Sequence, residues 1–206
     1  LGVVLVYVGG WPIVVIGVAS IAAGIGYTGG PYPLGYHGLG DLFVFVFFGI
    51  VAVAGTVYVQ AMAPVAGSMP VLPPEDTIPL IAIVTGTPIG ALATAILVIN
   101  NLRDRREDAV TGKRTLAVRF GRRFAVIEFV ALLLSAYLVI IGLVVWESTT
   151  FWVGLPVVTL PWAVKLIMTV RVGTDGVVLN PALESMGRLL GVFSLLLAVG
   201  LALGGG

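Results

Sequence analysis

Apolar residues run along this chain in long blocks, and the breaks between the blocks predict its elements. Six blocks are long enough to cross a bilayer, at about residues 12–26, 41–61, 78–100, 121–145, 150–170 and 187–203. Backbone groups in lipid must be satisfied within the segment, so these blocks are expected to be helices. The runs are continuous rather than alternating with a period of two, which argues against a membrane barrel. The block at 78–100 has 23 residues, about 35 Å of helix, enough to cross with some tilt. Leu1 to Val8 reads as the tail of a further helix. It is broken by Gly9 and Gly10, and Pro12 suits the first turn of the next helix. Gly86 and Gly90, with Pro88 between them, predict close helix packing and a mild kink. The pattern therefore predicts an all-α, polytopic transmembrane bundle forming one domain over residues 1–206. No second domain, low-complexity linker or clear internal repeat is visible.

Composition agrees with the pattern. The chain is 59% hydrophobic and only 10% charged, against roughly 25% charged in soluble domains. Such a chain covers a lipid-facing surface, not a water-facing one. A net charge of +1 provides no global attraction to nucleic acid, and the absence of cysteine excludes thiol catalysis, disulfides and thiolate metal sites. The first residue is Leu1, followed at once by apolar sequence, without a charged n-region or a small-residue cleavage site. No signal peptide is read there, and further residues are expected before Leu1.

Charge then fixes an expected orientation. Eight of the eleven Lys and Arg residues lie between Arg103 and Arg123, and Arg171 and Arg188 flank the segment 172–186. The connections at 9–11, 63–77 and 146–150 contain neither Lys nor Arg. Six spans put all the basic connections on one face, which the positive-inside rule assigns to the cytoplasm. The segments 27–40, 101–120 and 172–186 are then cytoplasmic loops, and Lys165 lies near the cytoplasmic end of its span, where it can snorkel.

The charged segment also carries the candidate chemistry. Asn100, Asp104 and Asp108 are spaced i, i+4, i+8, one stripe on a helix leaving the cytoplasmic end of its span. Oxygen ligands at that spacing suit Mg²⁺, which is commonly held by one or two carboxylates plus substrate phosphates. Lys113, Arg114, Arg119, Arg122 and Arg123 follow and could meet phosphate oxygens from the other side. On spacing alone a plainer reading stands beside this one. The segment could serve topology only, with Arg103 and Glu107 an ordinary i, i+4 pair and the basic run lying against anionic lipid heads.

The string from Asn100 to Asp108 (NNLRDRRED), followed by Gly112 to Gly121 (GKRTLAVRFG), resembles the second Asp-rich motif of the UbiA superfamily of intramembrane prenyltransferases. Within it the string is similar to the 1,4-dihydroxy-2-naphthoate polyprenyltransferase branch. Tyr27 to Tyr36 (YTGGPYPLGY), with Gly38, Leu39 and Gly40, resembles the loop after that family's fourth helix. Leu179 to Leu183 (LNPAL) also agrees. The resemblance implies Mg²⁺-dependent transfer of a polyprenyl group from an allylic diphosphate to 1,4-dihydroxy-2-naphthoate in the plasma (inner) membrane, with loss of CO2 and diphosphate. It implies Asn100, Asp104 and Asp108 as metal ligands, the two aspartates being catalytic. Arg103, Lys113 and Arg114 become diphosphate partners, and Tyr27 and Tyr32 prenyl or acceptor partners. Cation–π attraction supports the tyrosines, and an interfacial aromatic belt is their plainer role. The family has nine spans and a first Asp-rich motif after the second. On that count the first two to three helices and that motif are expected to be missing here. His37 stands where relatives often have Arg and is expected to be a loop residue. Asp41 could simply begin a helix. Other acceptors remain open (hydroxybenzoate, homogentisate or a glycerol phosphate lipid), as does a catalytically incomplete fragment. A transporter or channel bundle would place ionisable groups near mid-membrane, where these spans have almost none.

Overall fold

The computed structural model describes residues 1–29, 33–145 and 150–204. Its helices follow in chain order: α1 (Gly2–Gly9), α2 (Trp11–Thr28), α3 (Gly40–Val44), α4 (Ala52–Met62), α5 (Leu80–Val110), α6 (Leu116–Val145), α7 (Leu160–Val172) and α8 (Gly176–Gly204). A π-helical stretch, Phe45–Val51, joins α3 to α4, and a 3-10 stretch, Phe151–Thr159, leads into α7. No strand occurs among the described residues. Six described segments are long and apolar enough to cross a membrane: Trp11–Thr28, Gly40–Val65, Leu80–Val110, Leu116–Val145, Phe151–Val172 and Gly176–Gly204. The protein is an integral membrane protein with a polytopic all-α bundle.

Two expected loops are largely helix. α5 continues ten residues past Asn100, and α8 starts at Gly176 rather than near 187. Hydropathy marks where a helix leaves lipid, whereas its hydrogen-bond ladder continues into water unless a breaker intervenes. The breaker after α5 is the turn at Thr111–Arg114, where Gly112 takes a left-handed φ of 78°. α6 then starts at Leu116 and is interrupted at Gly121, with φ 80°.

α5 lies at the centre of the bundle. Over its most apolar stretch 56% of residues are buried in protein, against 6% for α2. Leu92, Ala95 and Ile99 of α5 pack in one core with Phe129 and Leu133 of α6 and Met186 and Phe193 of α8. On another side the expected close crossing occurs at Gly86 and Gly90. A Cβ added to Gly49 would lie 2.5 Å from Gly90 Cα and 2.6 Å from the Gly86 oxygen, so the backbones touch with no side chain between them. Pro88 cannot donate to the Val84 carbonyl. The Thr87 hydroxyl donates to that oxygen instead, at 2.7 Å, which answers a freed backbone acceptor inside the membrane.

The connections group at two ends. At one, Gly67 N donates to Tyr7 O (2.9 Å) and Trp11 N to Pro70 O (3.1 Å), and the buried Tyr58 hydroxyl donates to Gly9 O (2.7 Å). At the other, Arg114 N donates to Tyr36 O (2.8 Å), and Arg122 reaches the end of α7. The basic connections thus lie together at the second end, beside the segment 27–40, which itself has no Lys or Arg.

Candidate functional site

The polar end of α5 is held by side chains rather than by burial alone. Arg103 donates to both carboxylate oxygens of Asp104, from Nε at 2.6 Å and from Nη2 at 2.8 Å. Nη2 also donates to Asn100 Oδ1 at 2.8 Å, and Nη1 to Asn180 Oδ1 on α8 at 3.1 Å. One guanidinium therefore joins the first two residues of the stripe and ties α5 to α8. Asp104 is the group an adjacent fork-shaped cation keeps charged and oriented. Asn180 lies in the LNPAL stretch, but its partner, 77 residues away, could not be read from spacing.

Asp108 stands one turn further on, in a separate pair. Lys113 Nζ donates to its Oδ1 at 3.2 Å, which requires the chain to reverse at Gly112. Asp108 is buried, and its Oδ2 has no hydrogen-bond partner. Arg114 contributes its backbone N–H to Tyr36 O, and its side chain forms no ion pair among the described residues. Asn100, Asp104 and Asp108 are thus brought to one end of one helix, with Arg103 and Lys113 interleaved.

The segment before α3 closes over this end. Tyr27, the penultimate residue of α2, packs its ring against Gly35 and Gly40. A Cβ at Gly40 would meet the Tyr27 hydroxyl at 2.9 Å, and one at Gly35 would meet the ring at 3.0 Å. The Tyr27 hydroxyl therefore lies beside the start of α3, next to Asp41. Gly38, at φ 77°, brings the backbone against Leu116 and Arg114. His37 Nδ1 pairs with Pro33 O at 2.8 Å, a loop-stabilising contact of the kind expected. Tyr32 lies outside the described residues. Next to Tyr27 an apolar groove of about 610 Å³ is lined by Ala23, Gly24, Phe43, Phe47 and Phe48, among others.

Sequence reasoning underweighted two residues here. Asp41 is 7% exposed with an unpartnered Oδ1, and Glu128 on α6 is half-buried. Each is a lone acid in an apolar run, which was the available signal. Arg122 also proved structural. It donates to the carbonyls of Val170 (3.2 Å), Arg171 (2.7 Å) and Gly173 (2.9 Å), capping α7.

The donor chemistry of the stripe fits a hard divalent cation in part. Its donors are all oxygens, and Asp108 Oδ2 is a buried acceptor without a hydrogen-bond partner. Asn100 and Asp104 are at present engaged by Arg103, and no group of three or more His, Cys, Asp or Glu converges among the described residues. Substrate phosphate oxygens would have to complete the coordination.

Comparison with known proteins places the chain in a family. The 1,4-dihydroxy-2-naphthoate octaprenyltransferase of Mycobacterium leprae is 35% identical over 193 residues, 94% of this chain and 60% of that protein. The Mycobacterium tuberculosis protein of the same name is 36% identical over 203 residues, 98% of this chain and 64% of that protein. Human UbiA prenyltransferase domain-containing protein 1 is 36% identical over 141 residues, 68% of this chain and 36% of that protein. The chain thus spans about 60% of the length of the two mycobacterial relatives. No solved structure matches it. The model of the UbiA prenyltransferase family matches residues 1–175, and the chain belongs to that family.

Proposed function

We propose that these residues act within a single transmembrane domain that transfers a polyprenyl group from an allylic diphosphate to 1,4-dihydroxy-2-naphthoate, giving demethylmenaquinol, the hydroquinone form of demethylmenaquinone. The observation that carries this reading is the Asn100–Asp108 stripe, braced by Arg103 and Lys113, with an apolar groove beside Tyr27. Mg²⁺ held by Asn100, Asp104 and Asp108 would neutralise charge on the leaving diphosphate. Arg103, Lys113 and Arg114 bind the diphosphate oxygens from the protein side, an arrangement in which fixed cations stabilise developing negative charge. The prenyl chain lies in the groove along Phe43 and Phe47, and Tyr27 presents its ring to the allylic carbon as positive charge develops there. The apolar walls keep water from that carbon.

The bonds balance as follows. The allylic C–O bond breaks and its electron pair leaves on the diphosphate. The ring carbon that bears the carboxylate forms the new C–C bond, and the bond to CO2 then breaks, returning its pair to the ring. The active end faces the cytoplasm, and the protein resides in the plasma (inner) membrane. Basic connections gathered at one end support that orientation.

The test uses the polypeptide expressed with its flanking coding sequence, in membranes, with the naphthoate, an allylic diphosphate and Mg²⁺. Prenylated product should form, and Asp104→Ala and Asp108→Ala should each lower the rate by about a hundredfold or more. Undiminished rates in both variants would remove the assignment. Product from hydroxybenzoate but not from the naphthoate would redirect it to another acceptor.

A further inference from the structure

Asp41 is more deeply buried than its place at the start of α3 requires. It is 7% exposed, and Oδ1 is sealed from solvent without a hydrogen-bond partner. A buried carboxylate oxygen left unpaired is costly, so a fold that keeps one has a use for it. One nearby donor, the Thr94 hydroxyl, is engaged elsewhere. The Thr94 hydroxyl lies 2.8 Å from Gly90 O and 3.4 Å from the backbone oxygen of Asp41, not from its carboxylate. No Lys or Arg forms an ion pair with Asp41 among the described residues.

The surroundings indicate what fills the vacancy. Tyr27 borders the apolar groove, and its hydroxyl lies against the backbone at Gly40, the residue next to Asp41. A prenyl chain in the groove, with its diphosphate near Asp108, therefore brings its reacting carbon past Tyr27 and Asp41. The second substrate must meet it there, and that substrate carries ring hydroxyls.

We propose that Asp41 is a catalytic residue whose carboxylate accepts a hydrogen bond from a ring hydroxyl of the aromatic acceptor, in a subsite shared with Tyr27. The inference rests on the prenyl-transfer reading above. As the ring carbon attacks, the adjacent hydroxyl oxygen donates density into the ring and gains positive charge. A carboxylate fixed at its proton stabilises that charge more in the transition state than in the ground state. No proton needs to leave, because the pair from the C–CO2 bond restores the ring.

The test compares wild type with Asp41→Asn, in the polypeptide with its flanking sequence. The near-isosteric amide keeps the shape and removes the charge. Asp41→Asn should raise KM for the naphthoate and lower kcat, together by about ten- to a hundredfold, with KM for the allylic diphosphate within about twofold. Equilibrium binding of the naphthoate alone, without metal or diphosphate, should weaken by about tenfold. An unchanged acceptor KM and affinity would overturn the proposal, as would equal rises in both KM values. If the variant does not fold, the wild type still decides. Acceptors with each ring hydroxyl methylated in turn should include one that is turned over at least tenfold more slowly, and equal turnover of all would overturn the proposal. A wild type that makes no prenylated product would instead overturn the reading of the reaction itself.

Discussion

Arg103 and Arg122 are both cations in the basic segment, and the structure gives them different work. Arg103 is bound by Asp104, Asn100 and Asn180, so it orients the acidic stripe and fastens α5 to α8. Arg122 serves three backbone carbonyls at the end of α7. Those carbonyls carry the negative end of the helix dipole and have no partner within the helix. Arg122→Ala should therefore lower stability by about 1–3 kcal/mol, seen as a lower thermal midpoint in detergent micelles. Arg122→Lys should recover part of the loss, because an ammonium keeps the charge without the fork. An unchanged midpoint in Arg122→Ala would mean the three contacts contribute nothing net. The sequence shows both residues as members of one basic run. Only the fold separates a residue that faces the stripe from one that caps a helix.

The glycines of the GxxxG pair are an element-scale device. Gly86 and Gly90 of α5 meet Gly49 of the π-helical stretch with backbone against backbone. Gly49→Ala would force a methyl group to within 2.5–2.7 Å of α5 backbone atoms, and rigid backbone cannot yield as a flexible side chain does. Overpacking of this kind costs about 1–3 kcal/mol. Gly142 is the control, since nothing lies within 4 Å of an added Cβ there. Gly142→Ala, inside α6, should be neutral or stabilising by up to about 1 kcal/mol. Thermal unfolding of the two variants in the same detergent checks the contrast, and equal midpoints would refute it. Close packing at Gly86–Gly90 could be anticipated from the motif, whereas its partner Gly49 could not, because it lies 37 or more residues away on another span.

At the scale of the molecule, the two groups of connections give an orientation that labelling can test. The chain has no cysteine, so single-cysteine variants report without background. Gly112→Cys and Thr174→Cys should be modified by an impermeant thiol reagent added from the cytoplasmic side. Ser68→Cys should be modified from the opposite side. Labelling of Gly112→Cys and Ser68→Cys from the same side would overturn the proposed topology. The same grouping explains why six spans were legible at all. Each apolar run is continuous, and nearly all the Lys and Arg residues fall in or beside alternate connections.

The sequence by itself determined that the chain is a helical membrane bundle, how many described segments can cross, and that Asn100, Asp104 and Asp108 share one stripe. Those properties depend on local periodicity and on the cost of charge in lipid, which act residue by residue. It did not determine that α5 runs on to Val110 or that α8 begins at Gly176, because a helix needs hydrogen bonds and not apolarity once it reaches water. Nor did it determine that Arg103 reaches Asn180, that Lys113 pairs with Asp108, or that Asp41 is buried beside Tyr27. Except for the Lys113–Asp108 pair, which depends on the chain reversal at Gly112, these contacts join residues distant in sequence. They exist only once the α5–α6–α8 core and the Gly49–Gly90 crossing have fixed the helices against one another.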